Sequence, residues 1–470
     1  ERDEMKNGKR LLVVALIGIC VMVFACSCAG GNAGRQGEMG SGGQPASENQ
    51  QEECVDLMRQ WEEKEMGLEQ EKGRMEGMDE VEGGGQQTEE EQPAEAFCMD
   101  TTDFAISLLK ENVKEGEGGN VMISPVSVLA VLSMTANGAQ GDTLSQMMSV
   151  IGKNQDLDGL NEDLKKWMDG LTDTDAASLK LANAIWFNED GQQLKVEDDF
   201  LRKNALYYNA DIYKAPFNKN TLQSINAWTE EKTDGKIKNL LDGMEEDAVM
   251  YLVNTAVFDA DWKWIYEPYQ VSDSFFTNGE GVQENVPFMY STERTYIEDE
   301  NITGFIKPYK EGYRFVALLP KEGISLEECI EKMDGEYFRR LLAQAQTEVI
   351  VETGMPKFHA DYEAELEDML AGLGMENAFD VKTAQFQGIG TSPGKNIYIS
   401  RIIHKTDISV GELGTEAAAA TVEEAVSGAA DEPEMEIFYV YLKRPFLYAI
   451  VEERTDIPVF IGVLNEVGQE

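Results

Sequence analysis

The hydrophobic and polar positions of the chain predict a mixture of helices and strands. Helical spacing of apolar residues predicts four helices, over Phe104–Lys114, over Pro125–Asn137 after an N-cap at Ser124, over Phe200–Tyr208, and within Ile225–Leu241 with an end near Gly235. Alternating or continuous apolar runs predict strands at 179–187, 249–262, 305–307, 314–319, 348–358, 402–408, 438–442 and 446–452. Helices and strands mixed in this way indicate an α+β fold.

The first 28 residues have the pattern of a lipoprotein signal peptide. A basic start containing Lys6, Lys9 and Arg10 precedes an apolar run of about 15 residues, which is shorter than the roughly 20 needed to span a bilayer. The run ends in Val23-Phe-Ala-Cys26, which resembles a bacterial lipobox with an acylated cysteine, and Cys28 is the alternative site. An ordinary signal peptide or an uncleaved anchor are the other interpretations. An acylated chain is expected to be secreted and lipid-anchored to the bacterial cell membrane or cell surface.

Residues 29–98 are predicted to form an acidic, low-complexity tether. Gly, Gln, Glu, Ser and Met dominate, and such a composition buries too little apolar area to offset the entropy of ordering. Within residues 52–82, Leu57, Met58, Trp61 and Leu68 fall near one helical face, so a partner-binding helix is the alternative to a solvated spacer. A disulfide between Cys54 and Cys98 is left open, although the cysteines form no disulfide framework.

Charge and histidine content exclude several classes of function. The formal net charge is −47, which argues against nucleic-acid binding, because phosphates must be neutralised by Lys and Arg. The chain has only two histidines, His359 and His404, and no zinc-binding cysteine spacing, so neither a metal nor a cofactor is expected. A hydrolase with a Ser–His–acid triad would depend on one of these two histidines, and we expect no enzymatic activity.

The segment from Gly411 to Thr421 has two interpretations from its residues alone. Its four consecutive alanines favour a short exposed helix over Glu416–Val426. Small side chains also suit a strand buried on both faces of a sheet, and in period two Thr415 and Thr421 fall on one side together with two of the alanines. The second interpretation describes a loop that later enters a sheet.

Motifs spread along the chain decide between the two by resemblance to a known family. Gly414–Thr421 resembles the hinge of inhibitory serpins, Lys443–Ile450 the signature that follows their reactive loop, and Ile457–Asn465 their last strand. Further matches in type and spacing are residues 120–127 with 138–143, 226–237, 252–257 with Trp262, and 355–358 with 373–375 and Phe379. The resemblance covers residues 99–467, and we assign residues 99–470 to a serpin domain.

The resemblance implies a serpin fold with three β-sheets, about nine helices and an exposed reactive-centre loop within residues 412–443. It implies suicide-substrate inhibition, in which a protease cleaves the loop, remains as an acyl-enzyme, and is trapped when the freed hinge inserts into the central sheet. The matching hinge residues are Glu412, Gly414, Thr415, Glu416, Ala417, Ala418, Ala419, Ala420 and Thr421. The matching shutter, a buried polar cluster, is Ser124, Ser127, Asn254 and His404, and Trp262 belongs to the breach.

Counting the family's spacing from Gly414 predicts the reactive bond at Gly428–Ala429, with Ala425, Val426 and Ser427 as alternative positions. All these residues are small and no Lys or Arg lies between residues 412 and 442, so the expected partner is an elastase-like serine protease. The protein is expected to be a monomer that contacts a membrane only through its N-terminal lipid. A non-inhibitory serpin acting as a binding scaffold, and a cross-class inhibitor of cysteine proteases, are the alternatives.

Overall fold

The computed structural model describes residues 54–64, 92–116, 118–189, 194–245, 248–415 and 435–468. Within these ranges it contains 11 helices, nine of them long, and three β-sheets. The helices are α1 (57–64), α2 (Glu95–Glu115), α3 (Pro125–Ala136), α4 (Gly141–Ile151), α5 (Leu157–Asp169), α6 (Asp198–Tyr208), α7 (Lys219–Lys232), α8 (Leu326–Lys332), α9 (Gly335–Ala343), α10 (Glu367–Gly372) and α11 (Glu376–Phe379), with a 3-10 helix at Pro268–Gln270. This mixture confirms the predicted α+β class.

The strands, in chain order, are β1 (Val55–Asp56), β2 (Val121–Ile123), β3 (Ala177–Asn188), β4 (Lys195–Val196), β5 (Asp211–Ala215), β6 (Met250–Asp261), β7 (Val271–Thr277), β8 (Gln283–Glu298), β9 (Ile302–Pro308), β10 (Tyr313–Pro320), β11 (Gln346–Pro356), β12 (Phe358–Glu365), β13 (Gly390–Thr391), β14 (Arg401–Val410), β15 (Gly414–Thr415), β16 (Ile437–Tyr441), β17 (Phe446–Glu452) and β18 (Pro458–Leu464). A seven-stranded sheet has the order β1-β5-β3-β6-β15-β14-β12. A nine-stranded sheet runs β16-β11-β8-β9-β10-β17-β18-β2, with β7 paired to β8, and β4 pairs with β13.

Helix α3 is buried along its whole length and packs against strands of both large sheets. Its sequence is apolar on every side, which is the pattern of a core helix. Pro125 occupies its first turn, where the missing N–H costs no hydrogen bond. Ser124 lies at the N-cap position as predicted, but its side chain makes no capping hydrogen bond. The helix therefore brings its N-terminal serines to the inner face of the seven-stranded sheet.

Several helix and strand bounds differ from the sequence prediction. Helix α2 begins at Glu95 rather than Phe104, and α7 begins at Lys219, because the side chain of Asn218 accepts from the N–H groups of residues 220 and 221. Helix α7 ends at Lys232, shortly before Gly235, whose φ of 79° is the left-handed conformation that favours glycine. The region predicted as one strand at 348–358 contains β11 and the start of β12.

Residues 54–64 differ from the solvated spacer predicted for 29–98. Val55 and Asp56 pair with Lys214 and Tyr213 at the edge of the seven-stranded sheet. Leu57 and Met58, placed on one helical face by their spacing, are buried in the main core. The helical alternative was therefore correct in its periodicity, but its apolar face contacts this chain's own sheet.

The three described cysteines are free. Cys54 is exposed, whereas Cys98 and Cys329 are buried. The disulfide left open between Cys54 and Cys98 is not formed in the structure. Burial raises the pKa of the Cys98 thiol to about 11, which keeps it protonated and unreactive at neutral pH.

Candidate functional site

The centre of the seven-stranded sheet holds two parallel neighbours, β6 and β14. They pair directly through seven residue pairs, from Arg401 opposite Tyr251 to Asp407 opposite Val257. Above these pairs the chain leaves β14, turns, and forms the short strand β15 between the same two strands. Thr415 pairs with Val410 on one side and Ala260 on the other, both antiparallel. The first residues of the predicted hinge thus lie between β6 and β14. Further along these two strands, β6 and β14 pair directly with each other.

Close approach of the backbones explains the residue type at Gly414. A Cβ atom at this position would lie 2.0 Å from the carbonyl oxygen of Ala260, so no larger residue fits without moving β6. Thr415 is fully buried, and its hydroxyl lies 2.6 Å from the hydroxyl of Tyr309. These contacts hold the start of the hinge inside the sheet.

Trp262 anchors the turn that leads into β15. Its indole N–H donates to the carbonyl of Gly411 at 2.9 Å, and its backbone N–H donates to the carbonyl of Leu413 at 2.8 Å. Its ring stacks on Tyr309 with centroids 4.3 Å apart. Trp262, assigned to the breach by resemblance, therefore contacts both the turn and the tyrosine that binds Thr415.

A buried ion pair supports this corner and was not found by sequence reasoning. Lys307 and Glu293 lie 2.9 Å apart with almost no exposure, and Lys307 also donates to the carbonyl of Trp264 at 3.0 Å. The Lys307 ammonium lies 5.3 Å from the ring centroid of Trp262 and 4.3 Å from that of Tyr266. Burial lowers the pKa of Lys307, and the Glu293 carboxylate opposes that shift. Neither residue belongs to a recognisable motif, so nothing in the sequence points to the pair.

A second ion pair fixes the entrance of the predicted hinge. The carboxylate of Glu412 lies 3.0 Å from Lys357, the residue between β11 and β12. Both side chains keep about a third of their surface in solvent, so the attraction is moderated by water.

The predicted shutter residues meet where β6, β14 and the start of α3 converge. His404 is fully buried, its Nε2 accepts from the backbone N–H of Ser124 at 3.0 Å, and its Nδ1 lies 2.5 Å from Oδ1 of Asn254. Because Nε2 accepts a hydrogen bond, the proton of the neutral ring must reside on Nδ1 and be donated to Asn254. Burial lowers the pKa of His404 to about 3, which keeps the ring neutral.

Asn254 connects this histidine to two further groups. Its amide nitrogen donates to the Ser127 hydroxyl at 2.6 Å and to Oδ1 of Asn183 at 2.7 Å, and Ser127 in turn donates to the carbonyl of Thr255. Asn183 on β3 was missed by sequence reasoning. In the sequence, Asn183 is marked only as a polar residue within an apolar strand. Many surface residues show the same pattern. The register puts Asn183, Asn254 and His404 in one row across three strands.

Ser124 and Ser127 differ in the use of their hydroxyl groups. Among the described residues, the buried hydroxyl of Ser124 has no hydrogen-bond partner, and only its backbone N–H serves the cluster. The hydroxyl of Ser127 both accepts and donates. Sequence matching assigned both serines to the shutter. Among the described residues, the Ser127 hydroxyl takes part in the hydrogen bonds of this cluster, whereas the Ser124 hydroxyl does not.

Other predicted site residues lie outside the described residues. These are the hinge residues Glu416 to Thr421, the reactive-bond residues Gly428 and Ala429 with the alternatives Ala425, Val426 and Ser427, and the lipidation sites Cys26 and Cys28.

Comparison with known protein families decides the family of this chain. The family model described as "Serpin (serine protease inhibitor)" matches residues 99–467. The chain belongs to the serpin family. Serpins are mostly protease inhibitors rather than enzymes, they generally bind target proteases, and they are mostly extracellular.

Individual serpins resemble the chain over most of its length. A serpin-like protein of Thermococcus kodakarensis is 30% identical over 368 residues, which cover 76% of this chain and 83% of that protein. Alpha-1-antitrypsin 1-2 of Mus musculus is 28% identical over 371 residues, 77% of this chain and 86% of its own. The native state of the thermophilic serpin tengpin matches with a TM-score of 0.76 and 37% identity, covering 88% of this chain and 100% of tengpin. In the described part of this serpin, none of the helices has the length and apolar character required to cross a membrane.

Proposed function

We propose that this serpin inhibits serine proteases as a suicide substrate, with residues 412–443 as its reactive-centre loop. One observation carries the proposal: Gly414 and Thr415 already form a strand between β6 and β14, at the top of the position that an inserting loop would extend. After cleavage of the loop, the following residues continue this strand downward and replace the direct β6–β14 pairs. The Ala417–Ala420 run carries little side-chain bulk to hinder that step.

The energetics of insertion support the proposal. A central strand of this kind bonds to both of its neighbours and, once the direct β6–β14 bonds are lost, leaves a net gain of about a dozen ladder hydrogen bonds. Each has a net contribution of roughly 0.5–1.5 kcal/mol, so insertion releases on the order of 10 kcal/mol. That energy is comparable to the whole stability of an ordinary domain. It is sufficient to drag a covalently attached protease and distort its active site.

The polar cluster at the seam is arranged so that the strands can part at low cost. Separation of β6 from β14 breaks the hydrogen bond between His404 and Asn254. Asn254 retains Ser127 and Asn183, and His404 retains the N–H of Ser124. Each side chain keeps a partner, so the seam opens without leaving a wholly unpaired buried group.

The proposed targets are elastase-like serine proteases, and the proposed reactive bond is Gly428–Ala429, with Ala425, Val426 and Ser427 as alternatives. The support is the small, uncharged sequence around that bond. We further propose that the chain acts as a monomer outside the cell, anchored through an acylated Cys26, or Cys28, to the bacterial surface.

Incubation of the protein with pancreatic elastase, followed by denaturing gel electrophoresis, tests the function. The expected result is a covalent complex at the summed mass of the two proteins. Thr415→Arg should be cleaved without forming this complex, because a charged side chain cannot stay in the buried position beside Tyr309 and so removes the start of the inserting strand. Thr391→Arg, the same change at an exposed threonine, is the control and should trap as the wild type does. Equal complex yield from Thr415→Arg would refute insertion.

A further inference from the structure

Strand β16 lies within residues 412–443, after the part of the reactive-centre loop that carries the proposed scissile bond, and it has a row of exposed apolar side chains. Ile437, Tyr439 and Tyr441 alternate along one side of β16, with 50%, 65% and 38% of their surfaces exposed. The intervening residues face the opposite way: Phe438 stacks on Tyr296 at 3.9 Å between centroids, and Val440 is buried. One side of β16 thus packs against the core, and the other side is exposed to solvent.

The half-buried Tyr290 of β8 extends this row across the sheet. Tyr441 lies opposite Gly354 of β11, which lies opposite Tyr290, and the two tyrosine rings are 6.3 Å apart. We call Ile437, Tyr439, Tyr441 and Tyr290 the tyrosine face. It is bordered by Lys443, whose ammonium lies 5.8 Å from the Tyr441 ring.

Structural packing explains only part of the tyrosine face. The rings of Tyr441 and Tyr290 cover Gly354, where a Cβ atom would lie 2.8 Å from the Tyr441 ring. Tyr439 touches Tyr441 alone among the described aromatic rings, at 6.4 Å between centroids, and Ile437 is half exposed. Apolar residues clustered on a protein surface mark a place where another molecule binds, and tyrosine supplies large contact area at low entropic cost.

The position of the tyrosine face indicates its occupant. Strand β16 begins two residues after Met435, so the face continues directly from the end of the loop. Seven residues separate the proposed scissile residue Gly428 from Met435, a span of at most about 25 Å. A protease of ordinary size has a radius of gyration of about 18 Å, so an enzyme docked on that bond reaches β16.

We propose that the tyrosine face is a docking surface for the target protease, which contacts it with the apolar rim of its own active-site cleft. The inference rests on the proposed inhibitory function and assigns Tyr439 and Ile437 a role in partner selection. Between the bond and the face, the chain carries four acidic residues, Asp431, Glu432, Glu434 and Glu436, and no basic residue. Basic groups of the protease are therefore expected to face the acidic loop, while its apolar rim meets the tyrosine face beside Lys443. Docking raises the rate of encounter without altering insertion.

Binding and trapping must be measured separately to test this proposal. Affinity is measured with elastase whose catalytic serine is replaced by alanine, and the second-order rate of inhibition with active elastase. Tyr439→Ser should weaken binding and slow inhibition by about tenfold, as expected if Tyr439 is one of the few aromatic residues that carry most of the binding energy. The number of inhibitor molecules consumed per enzyme should stay at the wild-type value. Tyr439→Phe should remain within about twofold, because the ring is retained.

Leu206→Ser is the matched control, since Leu206 is also half exposed but lies on α6, which packs on other helices. Wild-type binding and rate in Tyr439→Ser would overturn the docking surface while leaving inhibition intact. A wild-type chain that neither binds nor traps elastase would overturn both proposals. Cleavage without trapping, slowed by Tyr439→Ser, would overturn inhibition and support docking. A wild-type dimer in sedimentation that Tyr439→Ser dissociates, with protease binding unchanged, would instead identify a second copy of the chain as the occupant.

Discussion

At the scale of single residues, the two shutter serines give a matched pair of substitutions. Ser127→Ala removes an acceptor for Asn254 and a donor to the carbonyl of Thr255, so it leaves buried polar groups unpaired. We expect the free energy of unfolding to fall by about 1–3 kcal/mol. Ser124→Ala removes a hydroxyl that no described group binds, and should change stability by less than about 0.5 kcal/mol.

Equilibrium urea unfolding monitored by tryptophan fluorescence measures both variants under the same conditions. Equal losses in the two would show that position in the cluster, rather than hydrogen bonding, determines the contribution of each serine. The backbone N–H of Ser124, which His404 accepts, is unaffected by either substitution.

At the scale of secondary-structure elements, the seam between β6 and β14 must open for the proposed function. Thr255 and Lys405 are paired across it, and neighbouring strands about 4.8 Å apart suit a disulfide. We expect Thr255→Cys with Lys405→Cys, in a background where exposed Cys54 is serine, to block loop insertion when oxidised. Elastase should then cleave the loop without being trapped, and reduction should restore the covalent complex on denaturing gels.

The single-cysteine variants serve as controls, because they remove the same side chains without joining the strands. Lys405 forms only a partly exposed ion pair with Glu363, so its loss has little effect on stability. Full trapping by the oxidised double variant would mean that the loop does not enter between β6 and β14.

The elements themselves were predictable to different degrees. Helix α3 and strand β6 emerged close to their observed bounds, because long apolar segments carry a strong periodic signal. Strand β5 escaped prediction because it is short and only partly buried, and its partner strands are distant in sequence. Strand β1 was missed because a two-residue edge strand has no local signature, whereas the spacing of Leu57 and Met58 had indicated the helix that follows it.

The residues of the candidate site were also predictable to different degrees. His404, Asn254 and Ser127 could be identified because they match family motifs. The contact of His404 with Asn254 follows from the strand register, whereas Ser127 reaches Asn254 from helix α3. Asn183 and the ion pair of Lys307 with Glu293 depend on the packing of separate elements, which no spacing along the chain encodes. Family resemblance thus identifies residues within motifs, whereas the surrounding partners require the folded sheets.

At the scale of the whole molecule, the proposed function requires that the intact protein is not its own most stable form. β6 and β14 pair directly with each other in the intact protein, so the sheet can still gain a strand between them. Loop insertion is an established behaviour of serpins. Gain of a central strand worth on the order of 10 kcal/mol should make the cleaved protein more heat-stable than the intact one.

Cleavage of the loop should therefore raise the melting temperature measured by calorimetry. Limited thermolysin digestion, confirmed by mass spectrometry to cut only within residues 416–434, should raise the melting temperature by on the order of 10 °C or more, because the freed hinge extends β15 through the seam. The oxidised Thr255→Cys/Lys405→Cys protein, cut at the same bond, should show no rise, since its seam cannot open. An unchanged or lower melting temperature in the cleaved wild type would argue for a loop that stays outside the sheet. Such a loop would suit a binding scaffold, and it could not supply the energy that trapping a protease requires.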